Sequence, residues 1–579
     1  MARDIKKEIK QRILAIQLII VASIFLLGAK SFEIQILKAG ELSKKAENDY
    51  SKHITLKGDR GRILDRSQNQ LATSIEAISI TACPMMIDAP AATAKKLAKA
   101  LKIRPKSLQE KLSSKRMFTW IARKVTPEKA GEIRKLNLKG IYFESDSKRY
   151  YPNWHLAAQV IGFTGNEDSG LEGLEFKYNN VLEGQAIKVK VKRDGAGRIL
   201  NFDKKKRMAL SGNSLVLTID KKIQYFSEQT LEKTVEEYDA NSGMALVMRP
   251  RTGELLSIAH YPEFNPNNFY QYDREIFRNR SVTDAFEPGS VMKVFTAAAA
   301  LEKGLTPRSI FFCEKGTYAI GRGRFTIRDT RPHDWLSMNQ IIKYSSNIGT
   351  VKIVEAIGNR ALYQCLSGFG FGEKTFVGCP GETTGKLAPY KKWSRIDAGA
   401  ISYGQGVSVS ALQLISGISA IANNGNLMKP MLVKKVISNS GKNVRIYQPE
   451  RVRKVISGKT AQQVKKMMSL VVKEDGTGSK AALNRYTVCG KTGTAQKALK
   501  DKKGYAKKKY ISVFAGFAPY DNPELAVLVV IDEPLKKYYG SDVAAPAVRS
   551  IMAESFNYLN VPPEKNEHLI ALASTGKKS

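Results

Sequence analysis

A run of 17 residues without a formal charge, positions 13–29 (ILAIQLIIVASIFLLGA), constrains this chain more than any other segment. A helix of that length is at the short end of what spans the hydrocarbon core of a bilayer. Arg3, Lys6, Lys7, Lys10 and Arg12 precede it, against only Asp4 and Glu8. That excess of cations predicts a cytoplasmic tail over 1–12 and export of everything after the run. A cleaved signal peptide is the alternative reading. Leu27 occupies the first small position of a cleavage site ending at Ala29, so an uncleaved anchor is expected.

A chain of 579 residues is too long for one ordinary core and implies two to four domains. Its hydrophobic content of 43% and charged content of 25% are those of a folded protein, so long disordered tracts are not expected. Lys and Arg number 93 against 54 Asp and Glu, and the surplus of +39 asks for an anionic partner or a solvated basic surface. Basic residues are spread along the chain, with short runs at 204–207 and 507–509. RNA-binding aromatic signatures, zinc-finger spacings and basic-region helices are missing from the sequence, so no nucleic-acid partner is expected. Anionic lipid head groups or acidic polymers are the alternative explanation of the charge. Cys83, Cys313, Cys365, Cys379 and Cys489 are odd in number and lack CxxC spacing, which implies no disulfide framework. His53, His155, His260, His333 and His568 stand apart from one another, so the sequence offers no recognisable metal spacing. The expectation is metal-free chemistry and no cofactor.

Residues 30 to about 211 alternate short strand-like runs with polar turns. Glycine clusters punctuate them at 58–65 (GDRGRILD), 162–175 (GFTGNEDSGLEGLE) and 194–197 (DGAG). A helical pattern over 92–112 is broken near Pro105. From Asn213 the character changes. Positions 214–219 read as a strand, Asp220 as the N-cap of a helix over 221–238, and 243–248 with 254–259 as a hairpin. A largely helical block follows to about residue 424, then strands at 486–489, 510–517 and 525–531, and an alanine-rich helix over 544–559. Strands, a helical block and strands again describe an α+β domain with helices on an antiparallel sheet. The expected division is an anchor over 13–29, a non-catalytic pedestal over 30–211, a catalytic domain over 212–560 and a polar tail over 561–579.

Three short motifs in the second domain carry chemistry. In Glu287-Pro288-Gly289-Ser290-Val291-Met292-Lys293, the proline and glycine suit a helix entrance, and Ser290 and Lys293 share a face. A hydroxyl nucleophile then has an amine neighbour able to take its proton. A free lysine titrates near 10.4, so Lys293 must be shifted down, and the helix dipole and a second cation are the expected causes. Ser345-Ser346-Asn347 offers a proton relay in Ser345 and a side-chain amide in Asn347 to hold Lys293 and a substrate carbonyl. Lys491-Thr492-Gly493-Thr494 follows a strand-like run at 486–489. Lys491 is the second cation, the hydroxyls of Thr492 and Thr494 can grip a carboxylate, and Gly493 allows an extended peptide to approach. Each motif alone is weak: SxxK arises by chance, SSN fits a polar loop or cap, and KTGT an ordinary turn.

In this order the three motifs resemble those of the penicillin-recognising serine enzymes. Tyr403-Gly404-Gln405-Gly406 with Ala411-Leu412-Gln413, and Ala422-Asn423-Asn424-Gly425, resemble the stretch those transpeptidases carry between the second and third motifs. Upstream, Arg60-Gly61, Asp65-Arg66, Leu71-Ala72, Arg149-Tyr150-Tyr151-Pro152 and Gly170-Leu171-Glu172-Gly173-Leu174-Glu175 resemble the pedestal of class B penicillin-binding proteins. Gln68 departs from that pattern, where the family usually has glycine, so a differently shaped turn after Arg66 is expected. The likeness runs from the anchor to about residue 560.

It implies a transpeptidase fold shared with serine β-lactamases, set on an elongated mixed α/β pedestal. It also implies that Ser290 attacks the penultimate D-alanine carbonyl of a peptidoglycan stem peptide with Lys293 as base. Ser345 and Lys491 would pass a proton to the leaving amine, and the Ser290 and Thr494 amides would form the oxyanion hole. The acyl group would pass to an amine on a neighbouring stem, and β-lactams would acylate Ser290. Within the family, length, short pedestal and short tail are most like the cell-division branch, with a side-wall elongation or sporulation-specific member as the alternative. The implied partners are an FtsW-type glycan polymerase and other division proteins at the septal inner membrane. A D,D-carboxypeptidase or β-lactamase, and a non-enzymatic penicillin sensor, are the other readings.

Overall fold

The computed structural model describes residues 2–192, 204–320, 325–499 and 504–564, so the glycine cluster at 194–197 and the segment 565–579 lie outside the described residues. Contacts divide the chain into two units, Met1–Asp59 with Gly184–Ser211, and Arg60–Glu183 with Gly212–Ser579.

The first unit is led by α1 (Ala2–Phe32), which continues through a π turn, Glu33–Leu37. Arg3–Leu37 is long and apolar enough to cross a membrane, and its apolar side chains are exposed. The helix extends past both ends of the 13–29 run because its charged flanks are good helix formers and contain no proline. In the π turn, Glu33 bridges Lys30 at 2.8 Å and Lys38 at 2.5 Å. A helix, Ala39–Tyr50, then leads to strand Ser51–Lys57, which pairs antiparallel with Ala186–Lys192.

In the second unit a sheet joins residues from both sides of the boundary read at 211/212. Its order is Asn443–Ile446, Val433–Ile437, Ser214–Leu217, Ile63–Leu64, Gln70–Ala82 and Thr119–Val125, with Ile141–Tyr150 also on Gln70–Ala82. Ser214–Leu217 pairs parallel with Ile63–Leu64 and antiparallel with Val433–Ile437. The helical pattern at 92–112 is realised as two helices, Pro90–Leu101 and Pro105–Leu112. Pro105 starts the second helix, where its missing N–H costs nothing. Leu97, Leu108 and Leu112 pack with Ile80 and Ile121 in a separate small core.

The pedestal motifs meet in one buried ion cluster. Glu175 is fully buried and accepts from Arg60 Nε and Arg149 Nε, both at 2.6 Å. Arg60 also donates to Asn179 Oδ1 and to the Asp168 and Glu175 carbonyls, and Arg149 to the Gly61 carbonyl. Gly61 is required there, since a Cβ would lie 1.9 Å from the Asn213 carbonyl oxygen. At Gln68 the backbone is left-handed (φ +67°), as a glycine would be, with the turn held by Asp65 Oδ1 on the Ser67 and Asn69 amides.

The rest of the second unit includes, in chain order, α2 (Lys221–Glu237), β1 (Ser242–Met248), β2 (Leu255–Tyr261), α3 (Lys293–Glu302), α4 (Asn347–Ile357), α5 (Ala411–Ala422), α6 (Gly458–Val471), β3 (Cys489–Ala498), β4 (Tyr505–Ala518), β5 (Leu525–Asp532) and α7 (Ala544–Leu559). Asp220 caps α2 as its sequence suggests, accepting from Lys222 N and Ile223 N. The five strands form one antiparallel sheet in the order β3-β4-β5-β1-β2. Ala245, Val247, Val527 and Val529 pack with Leu231 of α2 and Val548 of α7, while Met244, Leu246, Leu528 and Val530 join the core that contains α5. The sheet is thus buried on both faces, which is why its strands read as continuous apolar runs. β3 is an edge strand.

Candidate active site

Ser290 lies on a 3₁₀ turn, Gly289–Met292, which opens into α3 at Lys293. Residues three apart eclipse in a 3₁₀ turn, so the serine and lysine share a face more closely than in an α-helix. Pro288 caps the turn. Three glycines then let three backbone segments converge on it. Gly289 has φ +54°, and a Cβ there would sit 3.1 Å from the Thr494 carbonyl oxygen. A Cβ on Gly493 would lie 2.7 Å from the Pro288 carbonyl oxygen, and one on Gly404 only 2.0 Å from that of Gly289. Glu287 fastens the same region by accepting from Gly406 N at 2.9 Å. The Tyr403–Gly406 motif therefore shapes the turn that carries the serine.

Ser345 is the C-cap of helix Met338–Tyr344 in the left-handed conformation (φ +63°), and Ser346 is the N-cap of α4. This sharp reversal aims Ser345 and Asn347 at the same amine. Lys293 is fully buried, and its Nζ donates to the Ser345 carbonyl at 2.5 Å, Asn347 Oδ1 at 2.7 Å and Ser345 Oγ at 3.2 Å. Lys491, also fully buried, donates to Ser345 Oγ at 2.9 Å and to the Thr492 carbonyl at 3.2 Å. The Ser345 hydroxyl thus bridges two buried amines, and Ser290, three residues before Lys293, is half-buried.

Burial pushes Lys293 down to about 7, with the Asp329 carboxylate opposing the shift. Lys491 is lowered by burial first and by the charge of Lys293 second. Desolvation, rather than the helix dipole and second cation expected for Lys293, is the largest cause.

Lys491, Thr492, Gly493 and Thr494 occupy the interior of β3, not the end of a strand at 486–489. The strand begins at Cys489, and Lys491 pairs with Ala515 and Thr494 with Ser512 of β4. Gly490 and Gly493 look like breakers locally, but pairing along β4 overrides them. Thr492 Oγ1 donates to Thr477 Oγ1 at 3.3 Å. Thr494 Oγ1 accepts from Gly540 N at 3.0 Å, which leaves its own O–H free to donate.

Sequence reading missed Asp329. Its carboxylate accepts from Ser346 Oγ at 2.5 Å, Asn347 N at 2.6 Å and Ile348 N at 3.1 Å. It holds the second motif at the α4 N-terminus, where the macrodipole favours an anion. No local pattern marks it, because its partners are brought to it by the fold.

Residues 243–553 match the family model described as the penicillin binding protein transpeptidase domain, and 55–217 that of the penicillin-binding protein dimerisation domain. The chain is 33% identical to stage V sporulation protein D of Bacillus subtilis, over 96% of this chain and 87% of that one. It is 34% identical to the probable peptidoglycan D,D-transpeptidase PenA of Neisseria meningitidis, over 93% and 91%. With the peptidoglycan D,D-transpeptidase FtsI of Escherichia coli it shares 33% identity over 95% and 93%. Penicillin binding protein 3 of Mycobacterium tuberculosis, solved in complex with aztreonam, superposes with a TM-score of 0.68 at 27% identity, over 88% of this chain and 98% of that one. A transpeptidase domain on a dimerisation domain, alike to such relatives over nearly its whole length, places this chain among the class B penicillin-binding proteins, the serine-type D-Ala-D-Ala transpeptidases of peptidoglycan.

Proposed function

We propose that the chain cross-links septal peptidoglycan through an acyl-enzyme on Ser290. The observation that carries the reading is the single Ser345 hydroxyl shared by two buried lysines beside the Ser290 turn. A neutral Lys293 can donate two hydrogen bonds, to the Ser345 carbonyl and to Asn347, and keep its lone pair for the Ser290 proton. Ser290 Oγ then bonds to the penultimate D-alanine carbonyl carbon, with the oxyanion held by the Ser290 and Thr494 amides. The bond to the terminal D-alanine breaks, and its amine takes the proton that Lys293 removed from Ser290, relayed through Ser345 and Lys491. An amine on a second stem attacks the ester, forms the new amide and returns the proton to Ser290.

Edge strand β3 supports this assignment, since an extended stem peptide can pair along it while the free Thr494 O–H holds its carboxylate and Thr492 turns its O–H from Thr477 to join it. Residues 13–29 serve as a single-pass inner-membrane anchor, with 1–12 cytoplasmic and the catalytic domain over 212–560 exported. β-Lactams acylate the same serine. Glycan strands come from an FtsW-type polymerase working alongside other division proteins.

Ser290→Ala tests the reading. Labelling by a fluorescent penicillin should vanish, and cells should fail to divide. Persistent labelling would refute Ser290 as the nucleophile, and normal division would refute the septal assignment. The likeness to a sporulation protein over 96% of the chain favours a second reading, a sporulation-specific transpeptidase. A fluorescent fusion distinguishes them: a midcell band during vegetative growth supports the septal role.

A further inference from the structure

Away from the catalytic serine, three side chains distant in sequence meet in the second unit. His155 comes from the segment after Pro152, Glu228 from α2, and Glu263 from the loop that follows β2. One donor atom from each lies within 4.8 Å of the others. His155 Nδ1 is 3.1 Å from Glu263 Oε1. Ligands about 2.0–2.2 Å from a tetrahedral zinc ion are separated by roughly 3.2–3.6 Å, close to that spacing.

Glu228 is the informative member. Only 5% of the residue is exposed, so its carboxylate needs compensation. Oε1 accepts from Ala157 N and Gln224 Nε2, both at 2.8 Å. Oε2 is buried with no hydrogen-bond partner. The surroundings are built to hold it still. Gln224 is itself locked by bonds to the Ile258 carbonyl and amide, and the Glu263 loop is tied by Gln159 Nε2 on the Pro262 carbonyl at 3.2 Å. Such supporting contacts are what orient metal ligands. His155 and Glu263 are only partly buried, which gives an ion a path from solvent.

We propose that His155, Glu228 and Glu263 form a binding site for a divalent transition cation of the zinc class, which fastens the 151–157 segment to α2 and to the end of β2. An imidazole with two carboxylates suits Zn²⁺ or its neighbours, whereas Mg²⁺ and Ca²⁺ call for all-oxygen shells. The role is structural, because the ion would close two long sequence separations with one set of bonds. No local spacing announces it, which is why reading the sequence finds isolated histidines.

The test uses the full chain in detergent, stripped with chelator and carrying no histidine tag, titrated with Zn²⁺ and assayed for bound metal after dialysis. One equivalent per chain is expected, with a raised thermal midpoint. His155→Ala and Glu228→Gln should each weaken uptake at least tenfold and abolish the thermal shift. Labelling by a fluorescent penicillin serves as the check that each variant is folded. Glu263→Gln, at the more exposed position, is the second variant should Glu228→Gln fail that check. Failure of the wild-type chain to take up Zn²⁺ overturns the proposal, as does undiminished uptake by folded variants. The readout is metal binding, so it stands or falls separately from the role of Ser290.

Discussion

Lys491 donates to the Ser345 hydroxyl from 2.9 Å, while the carbonyl of the same serine accepts from Lys293 at 2.5 Å. One residue in a left-handed backbone thereby couples two lysines that the sequence holds far apart. The first consequence concerns pH. The base role proposed for Lys293 needs the neutral amine, and burial lowers its pKa to about 7. Acylation by a penicillin should therefore fall about tenfold per pH unit below 7 and level off above it. The unfolded lysine keeps its proton to about 10.4, so between 7 and that value the unfolded state binds more protons and stability rises with pH. Stopped-flow acylation rates against pH check the first statement. Lys293→Met should lose acylation and flatten the stability slope over that window.

Asp329 positions the second motif through Ser346, Asn347 and Ile348. Asp329→Ala removes the acceptor for two α4 amides and the Ser346 hydroxyl, and should cost about 1–2 kcal/mol of stability. The displaced Asn347 and Ser345 should slow penicillin acylation roughly 10–100-fold. A variant with wild-type acylation would remove Asp329 from this role.

Glu175 neutralises two buried arginines. Glu175→Ala leaves Arg60 and Arg149 uncompensated and should destabilise the second unit by about 3–5 kcal/mol. Thermal or urea unfolding measures it. A loss below about 1 kcal/mol would mean that water reaches the cluster and screens it.

Gln68 holds a left-handed conformation that costs an L-residue about 1–2 kcal/mol. Gln68→Gly removes that strain and adds unfolded-state entropy of about 0.4–1 kcal/mol. The net gain should be about 0.5–1 kcal/mol, read as a higher thermal midpoint with unchanged penicillin labelling.

Much of the catalytic part is legible from local pattern. The cap at Asp220, the β1–β2 hairpin and the helix Ala544–Leu559 follow from periodicity and turn chemistry. Local pattern misplaces β3, because its glycines carry breaker signals that only pairing with β4 can overrule. Asp329 carries no local signal, and neither does the His155, Glu228 and Glu263 cluster. Each acquires its meaning from partners on other elements.

The order of Ser290, Lys293, Ser345, Asn347, Lys491 and Thr494, together with an apolar N-terminal run, is a property of the sequence alone. It determined which family the chain resembles and which chemistry is proposed for it, since hydroxyls and amines are residue types at particular positions. Tertiary structure decided how those groups behave. Burial takes Lys293 down to about 7, and three glycines bring the Ser290 turn, β3 and the Tyr403–Gly406 backbone within contact. Desolvation and close approach depend on what the rest of the chain places around a residue, so no short segment can encode them.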